Sequence, residues 1–169
     1  MNSAELRPIR GYNGNVAEAQ SPVEMARALM RDHDRAVLCT ALAHGDGQPY
    51  GSLVATAPDA DGSPLLFLSD LSEHSKNLAR EPRAALVFAT PESDADPLDR
   101  PRVTVLGRIV QCDNDDGKLR RYVARHPAAE QYRAFRDFHL YRLEVTRVHL
   151  VAGFGVIRWI DAAEVVNRD

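Results

Sequence analysis

The sequence predicts a mainly β chain with flanking helices, an α+β arrangement whose six or seven antiparallel strands close into a barrel. Three observations predict it. Apolar runs of strand length recur along most of the chain, glycine- and aspartate-rich turns separate the early ones, and few stretches keep helical spacing. Closure hides strand edges that would be hazardous in runs this apolar; an open α+β sandwich is the alternative.

Length and charge narrow the classes. A chain of 169 residues fits one domain, and at this size roughly 68–70% of the unfolded surface is buried without staples. The formal charge is −3 with no basic block, so there is no electrostatic footprint for nucleic acid. Cys39 and Cys112 are the only cysteines and form no Cys-x-x-Cys pair, which argues for buried, reduced thiols rather than a thiolate metal site. No apolar run approaches the roughly 18–20 residues of a membrane span. The start, MNSAELRPIRGYNGN, has no apolar signal core, so a cytoplasmic protein is expected.

Residues 1–20 read as a loose polar arm, and 21–169 as a single domain. Ser21-Pro22-Val23-Glu24 opens a helix: Ser21 caps, Pro22 suits the first turn and Glu24 completes a capping box. Met25, Ala26, Leu29 and Met30 give that helix one apolar face through about His33. Residues 36–42, 50–56 and 65–68 then read as three strands of an antiparallel meander, joined at His44–Gly47 and Asp59–Gly62. A short helix follows over Ser72–Arg80, stopping before Pro82. Arg83–Thr90 is a fourth strand, PESDADPLDR an acidic loop, and Arg102–Cys112 a fifth strand. Asp113 to Asp116 offer caps for a helix over Lys118–His126, which Pro127 stops. Phe138–Val145 and Val148–Phe154 read as the last long strands, and WIDAAEVVNRD adds a helical turn or two.

The most informative stretch for chemistry is Leu68-Ser69-Asp70-Leu71-Ser72-Glu73-His74-Ser75-Lys76-Asn77, where a strand hands over to a helix. A helix N-terminus offers unpaired backbone N–H groups and positive potential, to which Ser75 adds a donor and Lys76 a charge. Two readings stand: a phosphate site, or plain capping by Ser72 with Lys76 solvated. Arg102, after Asp99-Arg100-Pro101, either donates to a ligand carbonyl or pairs with Asp99. The six histidines show no metalloenzyme helix spacing, and no dinucleotide fingerprint, P-loop or nucleophile elbow is present.

Taken in order, several segments resemble the pyridoxamine 5′-phosphate oxidase-like FMN-binding split-barrel superfamily, and more closely its haem-utilisation branch. They are QPYGSLV at 48–54, Ser69 with HSKNL at 74–78, DPL at 96–98, RPRVTVLG at 100–107, DFHLYRL at 137–143, GFG at 153–155 and RWI at 158–160. The resemblance implies an antiparallel split β-barrel that binds FMN at a homodimer interface, with both subunits contributing to each site. Carried over by position, Ser52, Leu53 and Val54 lie along the isoalloxazine and ribityl chain. Ser69, Ser75 and Lys76 hold the phosphate with His74 and Asn77 adjacent, while Arg102 stands where the oxidase has a glutamine near the ring. Trp159 and Arg158 reach the partner's flavin. The oxidase has arginines where Ser52 and Ser75 stand, and its C-terminal Arg-x-His substrate motif is absent here, so pyridoxamine phosphate is not the expected substrate. Haem-degrading relatives of this branch use a C-terminal histidine on iron; this chain has none after His149.

Three functions follow from the resemblance. The first is an FMN oxidoreductase, in which the flavin carries the chemistry with a small-molecule substrate or electron donor and no side chain need act as acid or base. The second is a haem-binding or haem-degrading protein, with His74, His139 or His149 as candidate ligands. The third is a flavin store or a barrel without cofactor; a deazaflavin in place of FMN is also compatible.

Overall fold

The computed structural model describes residues 20–90, 96–112, 116–153 and 155–167. The arm at 1–19, the acidic stretch Pro91–Ala95, the caps at Asp113–Asp115 and Phe154 lie outside the described residues. The chain orders as α1 (Pro22–Asp32), β1 (Arg35–Ala41), β2 (Pro49–Ala55), β3 (Ala57–Pro58), β4 (Pro64–Ser69), α2 (Glu73–Arg80), β5 (Arg83–Ala89), β6 (Arg102–Gln111), α3 (Asp116–Arg125), β7 (Phe138–Val151), β8 (Ile157–Asp161) and α4 (Ala162–Val165). The strands form one eight-stranded antiparallel sheet in the order β2-β1-β5-β6-β7-β4-β3, with β8 also paired to β7. The sheet curls but leaves β2 and β3 as edges, which is the split of a split barrel.

Local chemistry accounts for the helices. Ser21 Oγ accepts from the Glu24 backbone N–H at 3.2 Å, and the Glu24 carboxylate accepts from the Ser21 N–H at 2.8 Å, so the expected capping box forms. Asp161 and Glu164 repeat the device at α4. In β1 the burial alternates along the strand, Ala36, Leu38 and Thr40 facing in. Leu65 and Leu66 in β4 are both fully buried, because β4 is covered on two sides. Its inner face meets the main core with Leu38, Leu86, Phe88, Val105, Leu143 and Leu150, which α1 helps to cover. Its outer face meets a second, smaller core in which Leu65 and Leu140 pack with Tyr122 of α3.

Two readings of the sequence are corrected. The first three strands are not a meander: β1 pairs with β2 and β5, while β4 pairs with β7 and the short β3. Adjacent runs joined by turns suggest a hairpin series, but the doubly covered β4 lies in the other half of the sheet. The last two predicted strands are a single 14-residue β7 with a bulge, and the residues after it pair back as β8 before the terminal helix. Across the bulge Leu106 faces Arg147 whereas Gly107 faces Val145, leaving Thr146 extra, its hydroxyl donating to the Leu106 carbonyl at 3.1 Å. The polar Thr146-Arg147 pair that reads as a break is this bulge.

Gly107 is required here. A Cβ on it would stand 2.3 Å from the Glu144 carbonyl oxygen, a backbone atom with no flexible end to move. Gly107→Val is expected to cost about 3 kcal/mol or more. That corresponds to a fall of roughly 6–12 °C in thermal midpoint for a chain of this size. A variant melting within a degree or two of the wild type shows that the sheet tolerates a side chain at the bulge.

Candidate functional site

The handover from β4 to α2 is built by serines. Ser72 caps α2, its hydroxyl accepting from the Ser75 N–H at 3.3 Å and lying 2.8 Å from the Ser75 hydroxyl. Ser69 is locked at its side: its hydroxyl donates to the Asp137 carboxylate at 2.5 Å and accepts from the Leu71 N–H at 3.1 Å. His74 turns toward β2, where its Nδ1 lies 3.1 Å from the Ser52 hydroxyl. Burial of that ring pushes its pKa below the usual imidazole value. Lys76 is half-exposed and faces Glu73 at 3.7 Å, a weak surface pair. The other flank of α2 borders a cleft of about 350 Å³ lined by Asp70, Ser75, Lys76, Leu78, Ala79, Ile109, Gln111 and Tyr141. Burial, then the Asp70 carboxylate, raises the Tyr141 pKa, and His139 Nε2 lies 3.1 Å from Asp70.

A second feature lies on the outer face of the sheet. Because side chains alternate, the residues opposite the core on β2, β1, β5, β6, β7 and β8 line up in register as Leu53, Val37, Val87, Thr104, His149 and Trp159. Among the described residues no helix covers this row: Leu53 is 70% exposed, Trp159 51% and Val37 41%. A parallel row carries Gly51, Cys39, Ala85, Leu106 and Arg147. The His149 and Trp159 rings lie 4.5 Å apart, tilted by 34°, and the Arg147 guanidinium sits 4.8 Å above the Trp159 ring. Arg102 stands two residues before Thr104 on β6, where its guanidinium donates to the Leu98 carbonyl at 3.0 Å and the Arg100 carbonyl at 3.4 Å.

The ten residues singled out from the sequence therefore fall into three places. Ser52, Ser69, His74, Ser75 and Lys76 gather at the α2 corner. Leu53, Arg102 and Trp159 belong to the outer face. Val54 is in the core, and Asn77 is fully buried, its amide donating to the Thr40 hydroxyl at 3.0 Å and accepting from the Ala43 N–H at 2.8 Å. Asn77 thus ties α2 to the end of β1. Ser52, Leu53 and Val54 do not present their side chains to one surface, since strand alternation sends the middle one outward. Asp137, which holds Ser69, and Val37, Val87 and Thr104, which complete the row, escaped sequence reading. Only register brings them together.

The His74 shift has a pH consequence. Its folded pKa lies below the 6.5 of an ordinary imidazole, so the unfolded chain binds more protons in the interval between the two. Its contribution is complete above about pH 6.5 and is lost as pH falls through that window. His74→Gln is expected to flatten the drop in urea midpoint between pH 7.5 and 5.5; an unchanged drop assigns the acid sensitivity to other groups.

Among the described residues no helix is long and apolar enough to cross a membrane. Comparison with known proteins gives kinship. Residues 17–167 match the family model described as CREG, beta-barrel. Over 135 residues the chain is 36% identical to a chloroplastic non-canonical haem oxygenase of Arabidopsis thaliana, covering 79% of this chain but only 41% of the plant protein. The structure superposes on a haem-binding protein from Mycobacterium smegmatis with a TM-score of 0.79 at 29% identity, covering 88% of this chain and 61% of the other. It also matches the haem storage protein HutZ of Vibrio cholerae with a TM-score of 0.57 at 18% identity, covering 72% and 89%, a likeness of fold alone. The plant relative is named for a chloroplast, so kinship does not support the cytoplasmic expectation. With a matched region that spans nearly the whole chain and an open eight-stranded barrel, the protein belongs to the CREG β-barrel family, within the FMN-binding split-barrel superfamily.

Proposed function

We propose that this protein binds haem and works as a homodimer, with the macrocycle received on the outer face of the sheet. The observation that carries the reading is that face: a largely apolar row across six strands, covered by no helix among the described residues, ending in Trp159 and flanked by the guanidiniums of Arg102 and Arg147. Haem is a flat apolar disc with two carboxylates, so it calls for a broad apolar surface and cations at its rim. Leu53, Val37, Val87 and Trp159 would supply the surface, and Arg102 and Arg147 the cations. When bound, the haem iron supplies the redox chemistry of dioxygen activation, which no side chain provides. Kinship to a haem oxygenase and a haem-binding protein supports the same reading. A second copy covering this row would take large exposed side chains from water, which single exposed residues do not require but a contiguous row does.

FMN is the second reading, favoured by the serine-rich corner with Lys76 at the start of α2. In that case the α2 corner would meet the phosphate, Arg102 would stand near the ring, and Trp159 and Arg158 would reach the flavin of the other protomer.

Titration of the purified protein separates the readings. Haemin is expected to give a saturable Soret band at one equivalent per protomer, and bleaching of that band with reductant and air would add degradation to binding. Saturable quenching of FMN fluorescence, abolished in Lys76→Ala, with no haem complex, replaces haem by flavin. Leu53→Glu places a charge in the row and is expected to raise the dimer dissociation constant roughly a hundred-fold. Sedimentation showing an unaltered dimer would move the interface elsewhere.

A further inference from the structure

We propose that His149 is the protein ligand of the haem iron, an inference that rests on the haem reading above. Among the described residues no three His, Cys, Asp or Glu side chains gather into a site for a bare metal ion. A porphyrin brings four nitrogens of its own, so a single imidazole with an available lone pair suffices. Four of the histidines hold a partner through one ring nitrogen, and none of the four stands in the outer row. His33 Nδ1 lies 2.8 Å from the Leu29 carbonyl and its Nε2 is sealed from solvent. His126 Nε2 lies 2.8 Å from the Thr56 carbonyl, and His139 Nε2 faces Asp70. His74 keeps one nitrogen free, but Ser52 turns it toward the inner corner and away from the apolar face. His44 sits in the glycine-rich turn between β1 and β2.

His149 differs in place and partners. It is partly exposed on the outer row, between Thr104 of β6 and Trp159 of β8. Among the described residues nothing hydrogen-bonds to either ring nitrogen, and the Trp159 ring, 4.5 Å away, limits how the imidazole can turn. Arg147 lies two residues before it on the same face, roughly 7 Å along the strand. Arg102, paired with Val151, lies at a similar offset on the other side. An imidazole in an apolar strip with a guanidinium on each flank matches an iron at the centre of a disc and carboxylates at its edge.

The test is spectroscopic. The wild-type ferrous complex is expected to show an iron–histidine stretch by resonance Raman. His149→Ala should lose that band, shift the Soret maximum and bind haemin roughly tenfold or more weakly, with added imidazole restoring the wild-type spectrum. His149→Gln serves as a second variant should the alanine protein melt early, and His74→Ala and His139→Ala should keep the wild-type band. If His149→Ala and His149→Gln retain the stretch and the affinity, or if only His74→Ala or His139→Ala loses it, the assignment is overturned while the haem reading stands. If the wild-type protein forms no saturable haem complex, both fall together.

Discussion

The close approach of Gly107 to the Glu144 carbonyl is the contact on which the rest of the architecture depends. It lets β7 take an extra residue at Thr146, bend, and pair with β4 near one end, β8 near the other and β6 along most of its length. Without the bend the sheet has no means to bring β4 against one half while laying β8 along the other. A glycine serves because the partner atom is backbone, and no rotamer could relieve the overlap.

That curvature creates two surfaces of opposite character. Inside, Leu86, Phe88, Val103, Val105 and Val148 pack together to fill the barrel. Outside, α3 covers β4 and the start of β7, but among the described residues no helix covers the strip from Leu53 to Trp159. The exposed strip is therefore a consequence of where the helices dock. It gives a broad, largely apolar area that runs across six strands.

The α2 corner shows how capping and binding chemistry overlap. Ser72 and Ser69 spend their hydroxyls on the helix start and on Asp137, and Asn77 on Thr40 and Ala43. These bonds hold the corner in one shape. Lys76 is the group left half-exposed, so any anion held here meets a frame with few free donors.

Much of this was legible in the residues themselves. Ser21 and Glu24 announce α1, Ser72 announces α2, and short apolar runs mark β1, β5 and β6, because these signals act over a few residues and need no distant partner. The order of the family segments likewise pointed to a split barrel before any coordinate. Partnership was not legible: that β4 joins β7, that Thr146 is a bulge, and that Val37, Thr104, His149 and Trp159 share one face depend on strand register, which links residues more than a hundred positions apart. Local sequence determined the elements and their caps. The fold alone decided which side chains meet, since a one-residue change of register sends every side chain to the other face.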